Sequence, residues 1–188
     1  NWTFVTTAGN TIDTVWITIV NSTGVINHTE FRGTILDYNV TLNNENYLFN
    51  VSANDSLNNF FTAGHRNVTM DNVTPLIDYG SETLANNTFS SDQWLYINWT
   101  LTEANIESII VVVENGTDII NHTEFSNEES EFNTSLGSQN NVTFSYNVSV
   151  VDAVGRINTT NLRAVVIDSA DPDVTFSSET PANNSYLN

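Results

Sequence analysis

Asparagine is the residue type with the clearest chemical potential in this sequence. The 188 residues include 30 asparagines, 25 threonines and 17 serines, and seventeen of the asparagines begin an Asn-x-Ser/Thr sequon. The side-chain amide of such an asparagine accepts N-linked glycans, and random placement of the same residues would give about 7 sequons. Because these acceptors are used in secreted proteins, the excess predicts a heavily N-glycosylated protein on the outside of the cell.

We expect covalent N-linked glycans on most of these sites and no cofactor. Asn98 and Asn147 lie between apolar residues in alternating stretches, so their side chains should point to solvent if those neighbours are buried. Asn54, which has aspartate in the middle position, and Asn72, which closely precedes Pro75, are less favourable sites. The predicted acceptors are Asn1, Asn21, Asn27, Asn39, Asn50, Asn67, Asn86, Asn98, Asn115, Asn121, Asn133, Asn141, Asn147, Asn158 and Asn183.

Catalytic chemistry is not indicated by the residues that remain. The sequence has no cysteine and three histidines, His28, His65 and His122. His28 and His122 occupy the same position in two copies of a repeat described below, so they should lie about a domain apart. Hydrolase and metal sites need several groups within hydrogen-bonding or ligand distance. We therefore predict no catalytic residue and no enzyme activity.

Acidic residues near a predicted linker offer a second kind of chemistry. Asp168, Asp171, Asp173 and Glu179 lie close together in the sequence, and oxygen-rich linkers can bind Ca²⁺ and stiffen an array of domains. Aspartate is equally common in solvated turns. We expect no metal site, and these four residues are the calcium candidates.

The charge balance excludes two classes of partner. The formal net charge is −18, with four arginines and no lysine. Binding to a nucleic-acid backbone needs clustered basic residues, and so does attachment to an anionic membrane surface. No run of about 18 apolar residues occurs, so we expect no membrane insertion by this segment. A hydrophobic content of 39% is enough for folded cores.

An internal repeat organises the chain. Residues 81–89 (SETLANNTF) recur as residues 178–186 (SETPANNSY), 97 positions later. Residues 26–31 (INHTEF) recur as residues 120–125 (INHTEF) at an offset of 94, so compensating three-residue length changes separate the copies. Length changes of this kind belong in surface loops.

A unit of about 97 residues has the size of an immunoglobulin-like sandwich. Apolar and polar residues alternate at 97–102 and 144–150, as in half-buried strands, and no amphipathic helix is indicated. We predict an all-β fold of tandem immunoglobulin-like, seven-stranded, two-sheet β-sandwiches without significant helix. Residues 1–72 form a domain lacking its first strand, residues 73–170 form a complete domain, and residues 171–188 form the first strand of the next domain or are donated to it.

Two segments resemble a known family. Residues 167–176 (IDSADPDVTF), followed by residues 180–185 (TPANNS), resemble linkers in tandem immunoglobulin-like domains of archaeal extracellular surface proteins. Residues 146–158 (YNVSVVDAVGRIN) are similar to a strand-turn-strand segment of those domains, whereas the first copy has residues 56–59 (SLNN) in place of the turn glycine. The resemblance implies an archaeal cell-surface protein, since such arrays form stalks, surface layers, adhesins and filaments.

These observations predict a structural repeating unit of an extracellular filament or surface fibre. Trp2 and Trp16, expected at inward strand positions, should be exposed in a sandwich without its first strand, and Val174 and Phe176 should supply the missing apolar face. Because exposed edges pair with further strands, identical units should contact head to tail in an open filament. The contact can run through a continuous chain or a donated strand. The alternative function is the stalk of an adhesin or surface-layer protein whose binding head lies outside this segment.

Overall fold

The computed structural model describes residues 1–6, 9–126 and 129–184. Within these residues every regular element is a β-strand, which confirms the predicted all-β class. The chain divides into two compact units, Asn1–Val73 (unit 1) and Thr74–Asn188 (unit 2). A separate boundary at residue 171 stays a prediction. A membrane-spanning helix is not found in the described part of the chain.

The described residues of unit 1 form five strands: β1 (Ile12–Asn21), β2 (Gly24–Arg32), β3 (Glu45–Asp55), β4 (Phe60–Thr62) and β5 (Arg66–Met70). They form one antiparallel sheet in which β1 lies between β2 and β3. β4 and β5 pair with different parts of β3, on the side away from β1. β1 is rich in β-branched residues, which favour a pleated, half-buried strand.

The described residues of unit 2 form nine strands, where seven were predicted: β6 (Leu76–Tyr79), β7 (Thr88–Ser90), β8 (Trp94–Thr102), β9 (Ile106–Glu114), β10 (Ile119–Phe125), β11 (Glu131–Ser135), β12 (Val142–Asp152), β13 (Ile157–Thr159) and β14 (Arg163–Ile167). One sheet has the order β11-β8-β6, and the other has the order β10-β9-β12-β14-β7, with β13 paired to β12. The pair β7–β14 is parallel.

The core of unit 2 consists of the inward-facing residues of these strands. Ile109, Val111 and Val113 of β9 are fully buried, as are Leu95 and Ile97 of β8. The residues between them are more exposed. Successive side chains of a strand point to opposite faces, so this alternation gives each sheet one apolar face. Unit 2 is therefore a two-sheet sandwich of the predicted kind.

The two copies of the repeat make matching hydrogen bonds. The indole Nε1 of Trp2 donates to the carbonyl oxygen of Ile35 at 2.7 Å, and that of Trp99 donates to the carbonyl oxygen of Glu129 at 2.8 Å. Trp2 and Trp99 are 97 positions apart, whereas the two acceptors are 94 apart. The two sequence offsets therefore describe one common arrangement.

The turn at residues 55–59, which lacks the glycine found in the second copy of the repeat, has the same backbone conformation as the equivalent turn at residues 152–156. Asn58 has a φ of 62° where Gly155 has a φ of 85°, and each donates its N–H to an aspartate carbonyl three residues earlier, at 2.9 Å in both copies. Asparagine tolerates this left-handed region better than most residues. Hydrogen bonds from Asn59 hold the pKa of Asp55, the aspartate of the first copy, below its usual value.

Unit 1 differs from unit 2 in having a single sheet. Residues 1–5 correspond to residues 98–102 of β8, and residues 37–41 correspond to β11, but neither stretch forms a strand. The described residues of unit 1 also hold no counterpart of β6 or β7. Its main buried cluster is limited to Ile17, Ile19 and Tyr47, whereas the cluster of unit 2 has fourteen members.

The predicted inward position of Trp16 is wrong. Ile17 and Ile19 belong to the buried cluster, and Trp16 lies on the opposite face of β1. There its Nε1 donates to the carboxylate of Glu30 at 3.2 Å, and its ring centroid lies 5.9 Å from that of Phe60. Trp2, by contrast, packs against the buried cluster.

A repeat-equivalent pair tests the difference between the units. Ile167 in β14 is 0% exposed, whereas Met70 in β5 is 38% exposed. Ile167→Ala removes buried apolar contacts and should lower the free energy of unfolding of unit 2 by about 2–5 kcal/mol. Met70→Ala, the matched control, should change that of unit 1 by about 0.5 kcal/mol or less. Hydrogen exchange with mass spectrometry reports on each unit, and equal losses at the two positions would contradict this comparison.

Candidate functional site

Unit 1 carries an open groove along the inner face of its sheet. Two adjoining cavities, of about 760 Å³ and about 530 Å³, share Trp2, Thr3, Val51 and Ala63 as lining residues. The larger cavity also extends over apolar side chains from β1, β3 and β5, namely Ile17, Ile19, Phe49, Val68 and Met70. Contiguous apolar surface that faces water is typical of a site that binds another chain or a ligand. We call this surface the acceptor groove.

In unit 2 the corresponding surface is covered by the first strand of that unit. β6 pairs with β8 in a register that places Ile77 opposite Leu101 and Tyr79 opposite Trp99. Ile77 is buried in the core, and Tyr79 packs against it. The strand therefore closes the sandwich beside Trp99, which corresponds to Trp2 of unit 1.

The segment that follows β6 closes the edge of the other sheet in unit 2. β7 runs parallel to β14 and places Thr88 opposite Val165. Just before β7, the side-chain oxygen of Asn86 accepts a hydrogen bond of 2.8 Å from the backbone N–H of Ala164. In unit 1 the equivalent strand β5 pairs only with β3 among the described residues, so this edge is open.

Arg163 holds the covering segment of unit 2 at three points. Its guanidinium carbon lies 4.1 Å from the ring centroid of Tyr79, and its Nη1 donates to the carbonyl oxygens of Thr83 at 3.3 Å and Leu84 at 2.9 Å. Burial raises the pKa of Tyr79 to about 12, so its hydroxyl stays protonated. The counterpart of Arg163 is Arg66, which is exposed at the acceptor groove. Reasoning from the sequence missed both arginines, and the only signal there is that they occupy equivalent positions of the repeat.

Residues 171–184 are exposed and contain no strand. Val174 is 88% exposed and Phe176 is 90% exposed, although both are apolar. By the offset of 97, these residues correspond to Ile77 and Tyr79, which cover the core of unit 2. The last four residues of the predicted first strand, 185–188, lie outside the described residues. We call residues 171–184 the exposed segment.

The exposed segment already has the turn that follows β6. The N–H of Thr180 donates to the carbonyl oxygen of Ser177 at 3.0 Å, and the corresponding bond joins Thr83 to Gly80 at 3.3 Å. Four residues after each of these threonines, an asparagine has positive φ, 63° in the exposed segment and 62° in the internal copy. The turn therefore has the same conformation with and without a sandwich to cover.

All seventeen sequon asparagines lie in the described residues, and none is buried. Eight are exposed: Asn1, Asn39, Asn67, Asn72, Asn86, Asn133, Asn141 and Asn183. Nine are half-buried: Asn21, Asn27, Asn50, Asn54, Asn98, Asn115, Asn121, Asn147 and Asn158. Glycosylation of these sites stays a prediction, and the structure distinguishes among them.

Strand alternation alone does not make Asn98 accessible. Its neighbours Ile97 and Trp99 are buried, so its side chain lies on the outward face of β8 as expected. There, however, its Oδ1 accepts a hydrogen bond of 2.8 Å from Thr83, and its Nδ2 lies so close to Gly80 that it would overlap a Cβ at that position. The acceptor nitrogen is thus packed against the backbone of Gly80, where a glycan has no room.

The calcium candidates are exposed and do not form a ligand cluster. Among the described residues, no three of the carboxylates of Asp168, Asp171, Asp173 and Glu179 lie within 4.8 Å of one another. The Oδ1 of Asp168 instead accepts a hydrogen bond of 3.2 Å from the N–H of Ala170, as in a turn. The geometry offers the calcium hypothesis no support.

The histidines lie on exposed positions of the two units. His28 is hydrogen-bonded through Nδ1 to the hydroxyl of Thr18 at 2.9 Å, and the Nε2 of His65 lies 3.4 Å from the amide nitrogen of Asn50. His122 lies on β10, at the position that corresponds to His28. The neighbours named here are a hydroxyl and an amide, which are ordinary surface partners.

Comparison with known proteins gives matches of fold only. No family model matches the chain, and no curated protein matches it. The fibronectin(III)-like modules of Clostridium thermocellum CbhA match 52% of the chain at 11% identity with a TM-score of 0.37, over 100% of their own length. The chicken CNTN1 FN1-FN3 domains match 85% of the chain at 11% identity with a TM-score of 0.47, and the BSP domain of a biofilm-associated protein matches 85% at 11% identity with a TM-score of 0.32. The match spans 56% of the CNTN1 chain and 26% of the biofilm-associated chain.

The fold defines the class of the protein from its own geometry. Unit 2 is an immunoglobulin-like β-sandwich, the architecture that fibronectin type III modules also have. Unit 1 repeats one sheet of that sandwich and leaves its inner face open. The archaeal source that the resemblance implied finds no support in the comparisons.

The different surroundings of the asparagines predict uneven glycan occupancy. Glycopeptide mass spectrometry of the native protein should find Asn133, which is exposed on β11, modified in most molecules and Asn98 unmodified in most molecules, because a glycan on its Nδ2 would displace Gly80. Asn133 and Asn98 lie on paired strands of one sheet, with Asn133 opposite Tyr96 and Asn98 opposite Glu131, so they are a matched comparison. Full occupancy at Asn98 in folded protein would contradict the prediction.

Proposed function

We propose that this chain is a structural, non-enzymatic unit of an extracellular filament or surface fibre, in which units join head to tail by strand complementation. One observation carries the proposal: the acceptor groove of unit 1 is the surface that β6 covers in unit 2, and the exposed segment repeats the sequence of the turn after β6 and has apolar residues, Val174 and Phe176, at the positions of Ile77 and Tyr79. The exposed segment of one unit therefore fits the acceptor groove of a second, identical unit.

The repeat gives the register of the proposed contact. In unit 2, β6 pairs with residues of β8 that correspond to residues 2–5. In the same register, Val174 lies opposite Phe4 and Phe176 lies opposite Trp2. The side chains of Val174 and Phe176 then enter the acceptor groove, while backbone hydrogen bonds pair the segment with residues 2–5 as a new two-stranded ladder, a form of strand addition.

The energetics favour this contact. Fully burying a side chain such as Val174 or Phe176 contributes about 1.5–3 kcal/mol. The turn between Ser177 and Thr180 is already formed, which lowers the cost of ordering the segment. Because donor and acceptor are different surfaces of the same chain, the contact is heterologous, and it builds an open filament when the rotation between successive units does not close a ring.

The extracellular location rests on the sequons. Seventeen acceptors on one short chain are useful only in a compartment where glycans are attached. Only 14% of the residues are charged, whereas amide and hydroxyl side chains are abundant. This composition is consistent with a surface that is hydrated by neutral groups and sugars. The alternative, the stalk of an adhesin or surface-layer protein, makes the same contact between units and differs in carrying a binding head.

The units can be linked covalently or held by a donated strand. Intact mass under denaturing conditions separates the two forms in the native protein. A single tandem chain has a mass of many multiples of the 20.9 kDa unit, whereas separate subunits each have the mass of one unit plus its glycans.

Assembly of the 188-residue chain tests the proposal. The purified chain should form oligomers that grow with concentration in light scattering and filaments in electron microscopy. The double variant Val174→Asp/Phe176→Asp should remain monomeric, because it places two charges where the proposed contact buries apolar side chains. Leu162→Ser, which changes another exposed apolar residue of unit 2, is the matched control and should assemble like the unmodified chain.

Two outcomes would overturn the proposal. One is assembly of the double aspartate variant to the same extent as the unmodified chain. The other is an assembled form in which Phe176 is still solvent-accessible, as measured by side-chain labelling.

A further inference from the structure

Arg66 is a cation without a described function at the edge of the acceptor groove. It is exposed, it lines the larger cavity, and it forms no salt bridge in the described part of the chain. The sequence has only four arginines and no lysine, and Arg66 shares its place in the repeat with Arg163. An arginine kept at equivalent positions of both copies, on a chain with so few cations, requires a physical reason.

Arg163 provides that reason in unit 2. All three of its contacts described above go to the segment that covers the core: the ring of Tyr79 and the carbonyl oxygens of Thr83 and Leu84. A guanidinium can lie over an aromatic ring and donate to backbone oxygens at the same time, because it is planar and has five N–H groups. Arg163 thus joins the last strand of the unit to its first.

Each partner of Arg163 has a counterpart in the exposed segment. Tyr79 corresponds to Phe176, which keeps the aromatic face. Thr83 corresponds to Thr180, and Leu84 corresponds to Pro181. Proline lacks an N–H group but keeps its carbonyl oxygen, so the acceptor for the guanidinium is retained.

We propose that Arg66 is the specificity-determining residue of the acceptor groove, which recognises the exposed segment of another copy through the ring of Phe176 and the carbonyl oxygens of Thr180 and Pro181. This inference rests on the proposed strand complementation. It adds the requirement for an aromatic residue at position 176, because an aliphatic side chain fills the groove but presents no π face to the cation.

A peptide-binding measurement tests Arg66 independently of filament growth. The receptor is the full chain carrying Val174→Asp/Phe176→Asp, whose own exposed segment is disabled, and the probe is a fluorescently labelled peptide of residues 171–188. Fluorescence anisotropy gives the dissociation constant. Arg66→Met in the receptor should weaken binding about 10-fold or more, since a cation–π contact and two charge-assisted hydrogen bonds are lost. Arg66→Lys should remain several-fold weaker than arginine, because it keeps the charge and loses the planar group.

The control separates recognition from overall charge. Arg32→Met makes the same charge change at another exposed arginine of unit 1, which lies 3.9 Å from the carboxylate of Glu30, and should leave binding unchanged. A peptide with Phe176→Leu should bind more weakly than the unmodified peptide to the receptor that keeps Arg66. With the Arg66→Met receptor, the same change in the peptide should reduce the affinity much less. Such non-additivity is expected when the two side chains interact and is not expected for distant, independent sites.

The outcomes distinguish the two proposals. If the unmodified peptide does not bind any receptor, strand complementation fails, and the inference about Arg66 fails with it. If the peptide binds but Arg66→Met behaves like Arg32→Met, or the effects of Arg66→Met and Phe176→Leu simply add, strand complementation stands and the role of Arg66 is overturned. Unfolding curves of all receptors should coincide, because Arg66 is exposed in the unbound unit.

Discussion

A β-sheet with one apolar face needs a cover for that face, and this requirement governs the structure of both units. Unit 2 meets it with a second sheet, and its buried cluster has fourteen members. Unit 1 has the same inner face, built from the equivalent strands, and covers it only in part. The incomplete cover of this face accounts for three further features, because unit 2 buries the equivalent surface in each case. These features are the open groove, the exposed edge of β5 and the exposed apolar residues after β14.

Two features of the sequence predicted the fold: the alternation of apolar and polar residues along the strands, and the internal repeat. Ile97 and Trp99 alternate with polar residues, so their burial followed from strand geometry alone. Trp16 could not be placed in this way, because Val15, Trp16 and Ile17 are consecutive apolar residues and only the paired strand fixes which of them face inward. At the turn that contains Asn58, the sequence differs between the copies but the structure does not: asparagine takes the place of Gly155, and the backbone conformation is the same.

The candidate site was only partly accessible to such reasoning. Val174 and Phe176 were identifiable because they alternate with polar residues and occupy the positions of the repeat that Ile77 and Tyr79 occupy in β6. Arg66 was not identified, since its significance depends on contacts made by Arg163 across strands that are distant in the sequence. Asn98 was wrongly expected to be accessible because strand alternation directs its side chain away from the core. A side chain on the outward face can still be covered by a neighbouring segment, here the backbone at Gly80.

The parallel pairing of β7 with β14 has a mechanical consequence. β7 lies near the start of unit 2 and β14 near its end, and three residues of each strand lie opposite each other. Tension applied at the two ends of unit 2 pulls these parallel strands in opposite directions along their length. The interstrand hydrogen bonds are then loaded in shear together, instead of being opened one at a time as in peeling. An assembly of such units would resist stretching in proportion to the number of bonds that must break at once, and its weakest joints would be those with the shortest paired stretch.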